Sequence, residues 1–576
     1  MTVLAYLGLP SPQAFIARAR KARDAWTASF LYAWLMYEAL AFLTDGWPDA
    51  RVLQPHFDRD RLPELRASLP NTAVIRFDEL DEARTALRKT EELLTALFAY
   101  CGRRVRALLR PEADGGMDET RWAAQIATFP EVLWCAVEAE PGEDADSLAA
   151  RAASVWEARR HLRDRVRFAP GAAGVFGCTM CGRREAAITD PDAAKRLAGR
   201  LPRDFRRAEG LCAVCLVVRF AFAARCFKTT DGFGVPSVAT VAAGPWLPDA
   251  DRALRATESF GIFVEEIDKA RWRDPHPNPL RGQKAHRELV GLLGALYGVD
   301  PPEPPPGTGK DAWEKKIKSA LDWRGELLSE ARVAPPPKRY ALVAYDGDGI
   351  GAFFRSLRPG QREDASRRLA GFGVDVAPQI VESPESLGAL LYAGGDDGRF
   401  FVPLDRALGV LDALRKAFTQ AMGDGHRLTL SAGVAVAEVR HPLDLVVEAA
   451  HYGRDVAKAE YGRDALCVVW LTGEGARLAG GQFGEGASDL ISDLGVVADA
   501  FTGPLSRSLA TTLEDLARQW EPPVPAAVFA DLARERLLES GQTPAVEVID
   551  RWLDALPPPR AAGLVRLARD LAGVEV

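Results

Sequence analysis

The stretch Leu390-Leu-Tyr-Ala-Gly-Gly-Asp-Asp-Gly-Arg-Phe-Phe-Val402 decides how the rest of the chain is read. One apolar run, Leu390 to Ala393, meets a second, Phe400 to Val402, across Gly394, Gly395, Asp396 and Asp397. Apolar–turn–apolar with glycines at the centre predicts a β-hairpin. Two adjacent carboxylates at its tip repel each other. A solvated turn tolerates them, and a shared divalent metal makes use of them. Which of the two applies turns on a third carboxylate elsewhere in the chain.

That carboxylate is supplied upstream. The apolar strand Tyr340 to Tyr345 runs straight into Asp346-Gly-Asp-Gly-Ile-Gly351. A carboxylate at the end of a buried strand is costly unless it is paired or holds a metal. Gly347, Gly349 and Gly351 remove side chains where a phosphate would approach the backbone. From Arg339 to Leu471 the pattern reads strand (Tyr340–Tyr345), helix (Gln361–Ala370), hairpin, helix (Arg406–Met422), strand (Leu428–Val436), helix (His441–Tyr461) and a final strand (Ala465–Leu471). This is βαββαβ with extras, a ferredoxin-like plan. In it the end of the first strand lies beside the hairpin tip, so Asp346, Asp348, Asp396 and Asp397 converge. Such a set suits two Mg²⁺ or Mn²⁺ ions that activate a 3′-hydroxyl and steady a triphosphate. Lys458 and Arg463, at the end of the penultimate helix, are expected to bind phosphates; basic residues are also common at helix C-termini for their own sake.

Composition fits this reading without demanding it. At 576 residues, 47% apolar and 27% charged, the chain has the make-up of a soluble multidomain protein. A net charge of −7 gives no whole-chain signal for nucleic acid. Residues 151–207 depart from that average, with fourteen Lys or Arg against six Asp or Glu. They form either an RNA-binding face or a solvated surface. Ala25 to Leu43 is largely apolar but contains Thr27, Ser29 and Glu38, so it reads as a buried helix, continuing one that starts at Pro12, and the protein is expected to be cytoplasmic and off the membrane. Gly307-Thr-Gly-Lys310 is no phosphate loop, because the motif needs glycine at 304 and Ser or Thr at 311, where Pro304 and Asp311 stand.

Cys178-Thr-Met-Cys181 and Cys212-Ala-Val-Cys215 are two Cys-x-x-Cys knuckles, the spacing of a structural Zn²⁺ site. Cys101, Cys135, Cys226 and Cys467 lie in apolar surroundings and read as core thiols. The fold class expected is therefore α+β multidomain. Residues 1–165 read as a small α/β or ferredoxin-like unit, with strands at Val3–Leu9, Ala73–Phe77 and Val132–Val137 and a helix at Asp81–Leu109, which family resemblance makes a first, non-catalytic palm-like domain. Residues 166–300 form a mostly helical zinc-binding domain, 301–338 a proline-rich linker and helix, 339–475 a catalytic palm, and 476–576 a helical bundle.

Segment 340–471 resembles the cyclase-type palm of the large subunit of type III CRISPR effector complexes. The resemblance rests on Asp346-Gly-Asp-Gly-Ile-Gly351, Gly394-Gly-Asp-Asp397, Leu428-Thr-Leu-Ser-Ala-Gly-Val434 and the Ala457-Lys458 helix end. Diguanylate cyclases share the skeleton but carry an aromatic residue after the two acids, where this chain has Gly398. Gln13-Ala-Phe-Ile-Ala-Arg-Ala-Arg-Lys-Ala-Arg-Asp24, then Trp26 and Ser29, resembles the opening of the Cmr-type (III-B) first palm. The resemblance implies a subunit that works with partner proteins, guide RNA and target RNA and joins ATP into cyclic oligoadenylates. It also implies Asp346, Asp396 and Asp397 as metal ligands, with Asp348, Gly349, Gly351, Gly394, Gly395, Lys458 and Arg463 around the nucleotide. Many family members begin with a histidine–aspartate nuclease domain; none of the seven histidines here is followed by aspartate, and no DNase activity is expected. Three other readings stay open: a catalytically idle RNA-binding scaffold, a stand-alone dinucleotide cyclase, and a cyclase joining ATP to another small molecule.

Overall fold

The computed structural model describes the chain except residues 1, 11–15, 17, 60–68, 163–176, 202–204, 206–208, 228–234, 275–276, 300, 303, 306, 424–427, 485–488, 519–524, 539–542 and 574–576. Two sheets organise it. The first contains β1 (Val3–Gly8), β2 (Arg51–Gln54), β3 (Thr72–Phe77) and β4 (Leu133–Glu138) in the order β2-β3-β1-β4. Its crossovers are α1 (Ala22–Gly46) and, between β3 and β4, α2 (Leu80–Ala113) and α3 (Glu119–Ala127). The second sheet contains β5 (Arg339–Gly347), β6 (Ala389–Gly394), β7 (Asp397–Pro403), β8 (Leu430–Glu438), β9 (Ala465–Thr472) and β10 (Gly475–Gln482) in the order β10-β9-β8-β5-β7-β6. Numbering the first four strands of each sheet from its own start gives the same order, 4-1-3-2, with every neighbour antiparallel. The chain therefore carries the ferredoxin-like plan twice.

The second sheet is covered on both faces, which explains why its strands read as unbroken apolar runs rather than alternating ones. Along β5, Leu342 and Ala344 join one core, while Ala341, Val343 and Tyr345 join another. The first core is shared with the first sheet and the cysteine region. The second is completed by α15 (Ala407–Met422) and by five C-terminal helices that begin with Leu490–Phe501 and end with Pro558–Leu571. One more crossover helix, α16 (Leu443–Ala459), links β8 to β9, which pair in parallel. It lies close against the sheet because Gly433 and Gly453 face each other. A Cβ on Gly433 would sit 2.1 Å from the Ala450 carbonyl oxygen and 2.2 Å from the Arg454 nitrogen. We expect Gly433→Ala to push α16 off the sheet and lower stability by about 1–3 kcal/mol or more, seen as a fall in melting temperature.

Several expectations need correcting. The second sheet does not end at Ala465–Leu471. Gly475–Gln482 forms a further edge strand, β10, paired along its whole length with β9, so the sheet runs past the boundary expected at 475. The helix after the proline-rich segment, α11 (Lys310–Ala331), is packed against the rest of the chain. Ala320 and Leu327 are buried in it, and Trp313 donates to the Pro302 carbonyl at 2.8 Å. The short strand β2 was unforeseen. The start of the first long helix at Pro12 lies outside the described residues, and the helix is continuous from Ala22. No helix among the described residues is long and apolar enough to cross a membrane.

Two residues of the charged run near the N-terminus, Arg18 and Asp24, turn inward. Arg18 donates to the carbonyl of Cys181, and Asp24 holds Arg219 at 2.6 Å with both side chains fully buried. Glu209 takes the other edge of the Arg219 guanidinium at 2.8 Å. Removing one partner of such a network strands a buried charge, so this run ties the first palm to the cysteine region. In 151–207, much of which lies outside the described residues, Arg151, Arg160, Lys195 and Arg196 pair with nearby acids. These pairings favour the solvated-surface reading of that stretch.

Candidate active site and zinc centre

The hairpin forms as its sequence predicts. β6 and β7 pair with Gly394 opposite Asp397, leaving Gly395 and Asp396 as a two-residue turn. Gly395 takes φ +72°, which glycine supplies without a Cβ penalty. β7 then pairs with β5 so that Asp397 stands directly opposite Asp346. The alternation of side chains puts Asp346 on the face of Ala344 and Leu342, and Asp397 on that of Phe401, and both faces belong to the first core. Two carboxylates therefore face each other across adjacent strands, an arrangement that repels unless a cation lies between or beside them. Asp396 is the next carboxyl along. Burial, then the charge of Asp397, pushes it up to about 6.

α16 brings the cation. Lys458 donates to the Asp346 carboxylate and, at 3.1 Å, to the Gly347 carbonyl, and it lies 3.5 Å from Asp348. Arg463, exposed and at φ +67°, sits close enough to Lys458 to act on it electrostatically. Asp346, Asp396 and Asp397 do not bring three ligand atoms within 4.8 Å of one another; among the described residues only the four cysteines do so. The donor set nevertheless suits a hard divalent cation: carboxylates on two paired strands, one of them desolvated, with Lys458 holding one member in place. No other group in the site has that chemistry to offer.

Asp348 behaves differently from its neighbours. It is 6% exposed, and its carboxylate accepts from Thr429 Oγ1 at 2.9 Å, Ser431 Oγ at 2.8 Å and the Asp464 backbone N–H at 3.0 Å. With its lone pairs so engaged, Asp348 joins the β5 end to β8 and to the loop after α16. We expect Asp348→Ala to cost about 3–5 kcal/mol, because two hydroxyls, an N–H and part of the Lys458 charge lose their acceptor. The fall in melting temperature should exceed that of any single change at the hairpin tip.

The glycines divide by cause. A Cβ on Gly347 would meet Ile350 and Phe418 within 3.0 Å, and one on Gly394 would meet the Tyr392 ring at 2.6 Å, so packing requires these two. Gly349, at φ +76°, opens the short helix α12 (Ile350–Ser356). Gly351 faces space apart from Arg355. Gly398 has its own reason: a Cβ there would lie 2.3 Å from the Tyr345 ring, so Tyr345 from the neighbouring strand excludes any side chain at that position.

Three residues of the site went unread in the sequence. Arg399 is 4% exposed on β7 and His451 on α16 is half-buried, and neither Arg399 Nη1 nor His451 Nε2 has a hydrogen-bond partner among the described residues. Arg454 completes the group, paired to Asp455 at 2.7 Å. A lone arginine inside Gly398-Arg-Phe-Phe-Val was the available signal. Burial first, and then Arg399 and Arg454, hold His451 down to about 3. Between that value and the unfolded value of about 6.5 the unfolded chain binds a proton that the folded chain refuses, so stability falls as pH falls, by about 1.4 kcal/mol per pH unit. We expect His451→Gln to flatten this acid limb, measured as melting temperature against pH.

The four cysteines converge. Cys178, Cys181, Cys212 and Cys215 are all buried, with every sulphur within 4.8 Å of the others. Cys181 and Cys212 are 3.8 Å apart, which is the edge of about 3.8 Å that a tetrahedron with Zn–S of about 2.3 Å requires. Cys212 caps the helix Ala213–Phe220, accepting from the Cys215 N–H at 3.4 Å, and Cys181 N–H reaches Cys178 Sγ at 3.5 Å. No disulfide is formed. Burial pushes the Cys212 thiol well up and the neighbouring cysteine thiols do the same at Cys215, while hydrogen bonds within the cluster hold Cys178 and Cys181 down; a cation among them lets all four be thiolates at once. The set fits a structural zinc.

Site and sheet together define a palm-type, nucleotidyltransferase-like domain. Comparison with known proteins makes this specific. A model of the second palm domain of Cas10/Cmr2 matches residues 339–467, and one of the N-terminal part of CRISPR-associated protein Cmr2 matches residues 4–167, just over half of the chain together. The chain belongs to the Cas10/Cmr2 family, in its Cmr2 branch. CRISPR system Cmr subunit Cmr2 of Pyrococcus furiosus is 28% identical over 197 residues, 29% of this chain and 22% of that protein. The match thus spans about a fifth of that relative's length. In overall shape the chain is similar to structures of type III-B Cmr-beta. For the apo state the TM-score is 0.63 at 11% identity, covering 93% of this chain and 77% of the other. For the form bound to cognate target RNA it is 0.66 at 11%, covering 99% and 83%.

Proposed function

We propose that the protein is the large subunit of a type III CRISPR complex in the cytoplasm, assembled with partner subunits, guide RNA and target RNA. In it the second palm joins ATP into cyclic oligoadenylates. The observation that carries this reading is the pairing of Asp397 opposite Asp346 beside Asp396 at the end of a 4-1-3-2 sheet. Family membership and the similarity to a target-RNA-bound Cmr-beta structure support the assembly.

In each step the 3′-oxygen of one adenosine forms a bond to the α-phosphorus of the next ATP, and pyrophosphate leaves. Mg²⁺ or Mn²⁺ held by Asp346, Asp396 and Asp397 would favour the alkoxide and neutralise the triphosphate. Asp348 does not compete for that role, because it is engaged in fixing the β5 end. Lys458 bridges to Asp346 and is placed to exchange this carboxylate for phosphate oxygens, with Arg463 beside it. Gly395 and Gly351, facing open space, leave room for the nucleotide. We assign no DNase chemistry to these residues, since none of their histidines is directly followed by aspartate. The idle-scaffold alternative is disfavoured by Asp396, whose burial beside the Asp397 charge is a cost that folding alone does not require. The test is product analysis of the assembled complex with ATP, metal and target RNA.

A further inference from the structure

A second polar site lies far from the palm carboxylates. A cleft of ≈ 320 Å³ opens where the turn Arg281–His286 meets Pro384 and Leu387, just before β6, and Arg406, just after β7. β6 separates it from the hairpin tip, a span of about 20 Å at ~3.3 Å per residue. Its volume is at the low end of small-molecule sites, roughly 300–1,000 Å³, enough for one nucleotide.

Its chemistry is one-sided. Gln283 is 5% exposed; its Nε2 donates to the Gly244 carbonyl at 2.7 Å, which fixes the amide and leaves Oε1 as a buried acceptor with no partner. His286 Nδ1 bonds Asp251 Oδ2 at 2.8 Å, and Asp251 is held in turn by Arg255 at 2.7 Å. The carboxylate fixes the Nδ1–H tautomer, so Nε2 becomes a second acceptor. Around these stand two exposed cations, Arg281 and Arg406, the latter paired among the described residues with its surface neighbour Asp405. A simple anion would satisfy the arginines and leave both acceptors unpaired, which is unfavourable for a buried one. A ligand with an anionic group and hydroxyl donors satisfies all four. We propose that this cleft binds a single ribonucleotide unit, with its phosphate toward Arg281 and Arg406 and a sugar hydroxyl donating to Gln283 or His286. The unit comes either from free nucleotide or from an RNA strand, where the 2′-hydroxyl is the donor that DNA lacks.

The test uses the full chain carrying Asp396→Ala/Asp397→Ala to silence the palm, with AMP, 5′-phosphorylated hexauridylate and its deoxy counterpart as probes. Hydrogen exchange is read over residues 281–287 and 384–388. Protection there by AMP or by the ribo-hexamer is expected, with the deoxy probe at least fivefold weaker. Protection by AMP assigns free nucleotide; protection by the hexamer alone assigns RNA. Adding Arg281→Ala/Arg406→Ala, two exposed changes that leave the core intact, should weaken binding at least tenfold. It should also reduce the log–log salt slope for the hexamer by about 0.7, at ~0.7 per phosphate contact on a single strand. No protection by any probe, equal binding of ribo and deoxy probes, or unchanged binding in the arginine variant would overturn the proposal. Because the palm is silenced throughout, these outcomes are independent of the synthase reading.

Discussion

An Asp396→Ala/Asp397→Ala protein should melt at the wild-type temperature or slightly above it, and lose nucleotide synthesis by about a thousandfold or more, equivalent to about 4 kcal/mol of transition-state stabilisation. The two halves of this result have the same cause. Asp396 is desolvated beside a second carboxylate, and its pKa of about 6 records the cost. Removing both acids relieves that repulsion, which offsets the loss of the Asp397 charge that favours the buried Arg399 guanidinium. The backbone bond from Gly347 N–H to the Asp396 carbonyl, at 2.9 Å, does not depend on side chains. A loss of activity accompanied by a large fall in melting temperature would mean that the acids are structural, as Asp348 is.

The second large effect is expected at the cysteines. Wild-type protein should contain one equivalent of zinc by elemental analysis. Cys178→Ser should lose it and lower stability by several kcal/mol, with binding energies of about 10–16 kcal/mol in isolated zinc-finger peptides as the upper bound. The loss should spread beyond the knuckles, because Cys178, Cys181, Cys212 and Cys215 lie in the same core as the first sheet and one face of the second. At ~2–4 °C per kcal/mol for a domain of this size the fall is on the order of 10 °C or more. Zinc-free wild-type protein of full stability would refute the assignment.

What the sequence discloses and what it hides follow from where each residue gets its meaning. The hairpin was legible because a turn needing positive φ must show a glycine, and the palm because its buried strands are long apolar runs. The knuckles were legible because metal spacing is local. β10 was hidden: Gly475-Ala-Arg-Leu-Ala-Gly-Gly-Gln482 is exposed over its first four residues and is recruited as an edge by β9, not by its own pattern. Asp348 looked like one more metal ligand, and only the hydroxyls of Thr429 and Ser431, some eighty residues away, reveal that it is already engaged. The departure at Gly398 likewise became intelligible only with the Tyr345 ring in view. The N-terminal basic run was read through family resemblance, whereas its structural use is to hold Arg219 and the Cys181 carbonyl through Asp24 and Arg18.

The most direct test is mass spectrometry of products from the assembled complex given ATP, Mg²⁺ and target RNA. Cyclic oligoadenylates that appear with wild-type protein, require target RNA and vanish in Asp396→Ala/Asp397→Ala are the predicted result. No adenylate product from a folded, RNA-bound wild-type complex, or undiminished product from the double variant, would contradict it.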